Sequence, residues 1–175
     1  MRKTSFISVI FMAMLASACV MYGGPTDSAP SQQEISNMTI AGIGTLSVIL
    51  PNGWKYHETK VEGASYHELR SVALSASVFV EAKASTETAH KESEHVRESF
   101  MNEGYRCTGV QTEVHSQGIC SSFDVENGPL RGRVTVIRPE PNRPLSIRLT
   151  GIWPARADAE ASDDYEDIVR QLQCD

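Results

Sequence analysis

Between Val110 and Trp153 the chain alternates apolar and polar residues in four successive runs, and this period of two limits its fold more than any other feature. Val110 and Val114, then Ile119, Phe123 and Val125, then Val134 and Val136, then Leu145, Ile147, Leu149 and Trp153 are the core-facing candidates. The positions between them are mainly polar: Gln111, Glu113, Ser122, Asp124, Glu126, Arg131, Arg133, Ser146, Arg148 and Thr150. Turn chemistry separates the runs at Ser116-Gln117-Gly118, Asn127-Gly128 and Pro139 to Pro144. Four such runs predict an antiparallel meander with one face buried and the other wet.

Upstream, Thr39 to Leu50 is β-like and stops at Pro51-Asn52-Gly53, and Trp54 to Arg70 predicts a strand pair turning at Glu62-Gly63. Val72, Leu74, Ala76, Val78 and Val80 alternate and predict a strand over 71–83. The period then changes. From Thr86 to Glu103 the residues Ala89, Val96 and Phe100 share one helical face, and Gly104 supplies a stop. Asp163 and Glu166 have capping-box spacing ahead of a second apolar stripe, Tyr165, Ile168, Val169 and Leu172. The fold class is α+β, a mainly antiparallel sheet covered by two helices.

The run Leu46-Ser47-Val48-Ile49-Leu50-Pro51-Asn52-Gly53-Trp54 resembles the strand and Leu-Pro-x-Gly-Trp opening of the Mog1/PsbP-like fold. The later order is similar too: strand, helix ending at Gly104, four-strand meander, and a closing helix carrying Asp164-Tyr165-Glu166-Asp167-Ile168-Val169. The resemblance covers about 45–173 and extends to bacterial envelope lipoproteins of the DcrB and mycobacterial Lpq types. It implies a binding or accessory role and carries no shared catalytic residues onto this sequence.

The first nineteen residues give an address. Arg2 and Lys3 precede an apolar run, Phe6 to Leu15, too short for the roughly 20 residues of a membrane span. Ala16-Ser17-Ala18 and Cys19 follow. This is a secretory signal peptide over 1–18, and its junction resembles that of a bacterial lipoprotein, which implies lipidation of Cys19. Ala16-Ser17-Ala18 also suits ordinary signal peptidase, so a soluble secreted chain is the alternative. Several acyl chains on Cys19 would give a stable membrane attachment. Val20 after the Cys resembles the pattern for the outer membrane, facing the periplasm. Residues 19–37, rich in Gly, Pro, Ser and Gln, read as a tether, and 38–175 as one globular domain. Removing 1–18 leaves 14 cations against 22 acids, a net charge near −8, which disfavours nucleic acid and anionic lipid as broad-surface partners.

With Cys19 lipidated, Cys107, Cys120 and Cys174 remain in an oxidising compartment. A tight hairpin at Ser116-Gln117 sets Cys120 opposite Glu113 and Cys107 opposite Glu126, about 20 Å apart along the strands and too far to bridge. The closing helix returns Cys174 to the Cys120 end, so a Cys120–Cys174 disulfide is the expected pairing, although the alternation turns Cys120 away from the core. An unlipidated Cys19 would leave four thiols and two possible bridges.

No residue set resembles a catalytic motif, no cofactor is implied, and no metal site is expected. His90 and His95 stand about 140° apart on a helix and cannot chelate one ion together. The candidate partner-binding residues are Arg131, Arg133 and Arg148, which share the predicted wet face, and Trp54, beside which a ligand cleft would form. The alternatives are a cross-strand charge ladder, with Asp124 opposite Arg131, and a core role for Trp54 and Trp153. The expected function is lipid-anchored binding or accessory work in a bacterial envelope. Its target would be a protein complex, an effector (immunity being one case) or a lipid-like ligand. An envelope hydrolase with an unrecognised site is the alternative.

Overall fold

The structure, a computed structural model, describes residues 35–40, 43–61, 64–139 and 144–174. The signal peptide, Cys19 and most of the tether therefore lie outside the described residues. Eleven strands are described: β1 (Ile35–Ile40), β2 (Gly44–Ile49), β3 (Trp54–Val61), β4 (Ala64–Ser71), β5 (Ala76–Ala84), β6 (Arg106–Cys107), β7 (Gln111–His115), β8 (Gly118–Asn127), β9 (Leu130–Arg138), β10 (Leu145–Pro154) and β11 (Gln173–Cys174). Two α-helices accompany them, α1 (Ala89–Asn102) and α2 (Asp158–Gln171). The large sheet runs β3-β4-β5-β10-β9-β8-β6, with β7 also on β8, and a small sheet runs β1-β2-β11. Every pairing is antiparallel.

The register shows why a single wet face is wrong. Ile147 lies opposite Ile137, and Leu149 opposite Thr135. Val136 therefore shares a face with Arg148, not with Ile147. Val134 and Val136 are fully buried all the same, because α1 packs over β8 and β9 on that side. Phe100 of α1 meets Phe123 edge-on with ring centroids 6.2 Å apart, and Ser93 Oγ donates to Ser121 O at 3.0 Å. On the opposite face α2 and the small sheet cover Ile137, Ile147, Leu149, Val78, Val80 and Leu69. The two helices thus lie on opposite faces, and the centre of the sheet is buried on both sides. The outermost runs fail as core: Val114 is 83% exposed and Ile119 38% exposed, since β7 lies at the sheet edge.

Several boundaries also move. The β-like stretch 39–50 is two strands, and β1 begins at Ile35, inside the segment read as tether. Its inward side chains, Ser36 and Met38, are buried: Ser36 belongs to the polar-rich segment read as tether, and Met38, the first residue of the domain as read, joins the main core. The strand expected over 71–83 starts five residues later. Ser71 pairs with Ala76, so 72–75 form a turn, Ser75 adopts a φ of 53°, and Val72 is 77% exposed. Val61 pairs with Ala64 as the expected turn at 62–63 requires, those two residues themselves lying outside the described set. Thr88 caps α1, its Oγ1 accepting from Lys91 N at 3.2 Å.

Helix α2 starts at Asp158, not at Asp163, and its N-cap, Ala157, makes no side-chain cap bond. The chain turns into it through a short 3₁₀ segment, Ala155–Ala157, directly after β10. Asp163 and Glu166 are therefore interior positions. Tyr165 is the largest fully buried side chain described, packed against Gly151, where a Cβ would lie 2.5 Å from its ring. Its hydroxyl lies 2.9 Å from Thr135 Oγ1 and 3.2 Å from Leu149 O, placed to accept from the threonine hydroxyl and donate to the carbonyl. Gly151→Ala is expected to destabilise the domain by about 1–3 kcal/mol through overpacking. Tyr165→Phe should cost about 1–2 kcal/mol through the lost hydroxyl bonds. Urea unfolding of both variants reads these losses.

One buried histidine makes stability depend on pH. His67, on β4, lies under the small-sheet side with Nδ1 2.8 Å from Tyr56 Oη, and burial holds its pKa below the ordinary value, partly opposed by Glu58. The unfolded chain then takes up this proton at higher pH than the folded one. The His67 contribution is complete above about pH 6.5 and declines as pH falls toward the folded pKa. The melting temperature should drop across that interval, and His67→Gln should flatten the drop.

Candidate functional site

A groove of about 370 Å³ opens where β6, the β8–β9 hairpin, the end of β10 and the first turns of α2 meet. Its lining joins Arg131 and Arg133 of β9, Asp124 and Glu126 of β8, Arg106 and Cys107 of β6, Trp153, Asp158 and Ser162. The hairpin builds most of it. Asn127 pairs with Leu130, so the two loop residues are Gly128 and Pro129, with Gly128 at φ 57° and Pro129 fixing the second position. Glycine in the first central position is what a two-residue loop of this hand requires. A loop at Asn127-Gly128, as the sequence predicts, lies one residue earlier and sets Asp124 opposite Arg131. In fact Asp124 faces Arg133 and Glu126 faces Arg131.

The charges in the groove are committed to one another. Arg133 Nε donates to Asp124 Oδ1 at 2.6 Å and its Nη1 to Glu166 of α2. Burial would lower its pKa, but the two carboxylates outweigh burial and hold the guanidinium above its ordinary value. Arg131 Nη1 donates to the carbonyls of Gly128 and Leu130, both at 3.0 Å, and Nη2 lies 3.3 Å from Glu126. Arg106, 3.9 Å from Glu126, leaves most of its surface at the rim. At the inner wall Trp153 Nε1 donates to Asp158 Oδ1 at 2.7 Å. Cys107 lies on the floor, its thiol pKa raised by burial against the pull of Arg97. That keeps it protonated and a poor nucleophile.

The other expected site residues go elsewhere. Arg148 is on the α1 face of the sheet, bonded to Glu81 of β5, so the three arginines do not share a face. Trp54 is 2% exposed in the core, its Nε1 donating to Asp164 of α2 at 2.6 Å. Three acids of α2, Asp158, Asp164 and Glu166, are thus acceptors for two indoles and an arginine. His90 bonds Thr112 while His95 faces Glu87, and among the described residues no group of His, Cys, Asp and Glu is placed to hold a metal ion.

Cys107, Cys120 and Cys174 are free thiols, so the expected Cys120–Cys174 bridge is not formed. The hairpin register behind that expectation holds on β7, where Glu113 faces Cys120, but on β6 Cys107 pairs with Val125 and Arg106 takes the expected place opposite Glu126, still far along the same strand. The orientation of Cys120 differs. It is buried in the core beside Ile137, and burial, with Glu113 and Glu166, pushes its thiol pKa up to about 11. Cys174 sits in β11, paired with Leu46 of β2, where its backbone is held by the small sheet. It lines a second groove of about 360 Å³ with Gln117, Ile147, Arg170 and Leu172. Neither β6 nor β11 was legible in advance, because a two-residue strand has no period.

No protein-family model matches the chain, and no curated protein matches it in sequence. Solved structures do. Cyanobacterial PsbP (CyanoP) from Synechocystis sp. PCC 6803 superposes with a TM-score of 0.60 at 11% identity, covering 86% of this chain and 98% of that one. LpqN of Mycobacterium tuberculosis gives 0.53 at 9% identity, covering 82% and 91%. The chain has the Mog1/PsbP-like fold, as its Pro-x-Gly-Trp opening and element order imply.

Arg133 is expected to hold α2 to β8 and β9 as well as to line the groove. Arg133→Ala should lower the unfolding free energy by about 1–2 kcal/mol, an amount discounted for its partial exposure. Arg133→Lys should recover only part of this, because an ammonium lacks the fork that reaches both acids. Denaturant titration of the two variants compares them.

Proposed function

We propose that this chain is a lipid-anchored binding or accessory protein of a bacterial envelope. It is attached through Cys19, on the periplasmic side of the outer membrane, and docks a protein partner on the groove around Arg131 and Trp153. The observation that carries this reading is the character of the groove. Its acids and arginines are bonded to each other and to an indole, and its thiol is held neutral. Such a surface offers shape and paired charge but no activated nucleophile, which favours binding over hydrolysis. A lining this polar suits a protein segment better than a lipid-like ligand, for which apolar walls are needed. The envelope assignment rests on the signal sequence and is supported by the fold relative LpqN, described as involved in cell envelope biogenesis. No helix among the described residues is long and apolar enough to cross a membrane.

A photo-crosslinking residue in place of Ser162, in cells exporting the full chain, should trap a protein partner at the groove. Arg106→Glu with Arg131→Glu should abolish the capture while leaving the fold intact, since neither side chain reaches α2. Mass spectrometry of the same material should find acyl chains on Cys19 as the first residue. Capture indifferent to the charge reversals would refute the groove, and an unmodified Cys19 would refute the anchor.

A further inference from the structure

Among the described residues β7 pairs only with β8, and the hairpin fixes which of its backbone groups that pairing uses. His115 and Gly118 flank a two-residue loop and form a hydrogen-bonded pair, from which bonded and non-bonded pairs alternate along the strand. Gln111, Glu113 and His115 therefore spend their N–H and C=O groups on β8, while Thr112 and Val114 turn theirs outward. Protected edges carry lysine, proline or a bulge, and Gln111-Thr112-Glu113-Val114-His115 has none of these. Val114 is also the most exposed large apolar residue described, and its cross-strand neighbour Ile119 is exposed beside it.

We propose that β7 is a self-association edge, pairing antiparallel with β7 of a second copy about a two-fold axis through Val114. The choice of a second copy rests on charge and backbone together. With the axis at Val114, the two Val114 residues form a hydrogen-bonded pair through their outward groups. Glu113 and His115, 3.2 Å apart within one strand, then stand opposite His115 and Glu113 of the other copy, so the two pairs join into one alternating cluster of carboxylates and imidazoles across the axis. Centring the axis on Glu113 instead would set two carboxylates face to face. In the favoured register Ile119, Val114, Val114 and Ile119 line up across one face of a sheet continuous through both molecules. This is the isologous contact a two-fold axis produces.

Sedimentation equilibrium of the purified full chain should show a monomer–dimer equilibrium. Val114→Lys, which opposes two ammonium groups, should weaken it at least about tenfold. Val114→Pro should weaken it too, since the N–H it removes is not used by β8. Circular dichroism checks the fold of each variant, and Val114→Lys decides if the proline variant unfolds. Glu113→Lys should weaken the dimer, and Glu113→Lys with His115→Glu should restore it. Hydrogen-bonded partners across an antiparallel pair have Cα atoms about 5.5 Å apart, inside the range a disulfide spans. Val114→Cys treated with oxidised glutathione should therefore give a 114–114 cross-linked dimer on peptide mapping. A chain monomeric at every concentration, including one that pairs only with a different protein, would overturn the proposal. So would a dimer indifferent to Val114→Lys, or the absence of the 114–114 link.

Discussion

The seating of Tyr165 over Gly151 is the constraint on which the rest of this structure depends. A whole aromatic ring fits between helix and sheet only because β10 carries no side chain at that point. With the ring in place, the positions of the other α2 contacts follow from the helix repeat. Asp158 comes to Trp153, Asp164 to Trp54 and Glu166 to Arg133. Three bonds from acidic side chains of one helix to sheet residues would be weak individually. Held in common by a ring that cannot shift, they act on a surface already immobilised, and the ordering cost of each is shared.

The charged groove is a by-product of the same seating. The helix passes the β8–β9 hairpin at the distance Arg133 can span, and that spacing leaves a channel walled by Trp153 and floored by Cys107. Its electrostatics are those of a structural joint, with each arginine facing an acid. An incoming segment would therefore meet a pre-arranged set of alternating charges with little reorganisation, which is what discriminating docking requires.

Where the sequence was legible, a local rule and the tertiary environment agreed. Ile147 and Leu149 alternate and are buried, Phe100 falls on the inner face of α1, and the register of Glu113 against Cys120 follows from loop length alone. The misreadings share a cause: alternation reports two faces but not what covers them. Val136 and Ile147 both read as core, and both are, on opposite sides of the sheet. Val72 keeps the period through a turn, and Ser36 lies in a stretch whose polar composition hides the start of a strand. Strand position marks Arg133 as a site residue, but its partner Glu166 belongs to a helix that starts five residues before the capping-box spacing suggests. Cys107, Asp158 and Ser162 carried no signal, since only the tertiary fold brings them to the groove.

The order of the small sheet has a mechanical consequence. Strand β1 enters at Ile35, which pairs with Ile49 at the open end of the β1–β2 hairpin. A pull on the chain ahead of Ile35 therefore loads that ladder in the unzipping direction, one pair at a time, instead of shearing all its pairs together. Strand β2 is paired on its other edge with β11, which the same pull does not load until β1 has left. Strand β1 would therefore be the first element such a pull loads, and its departure would uncover Met38.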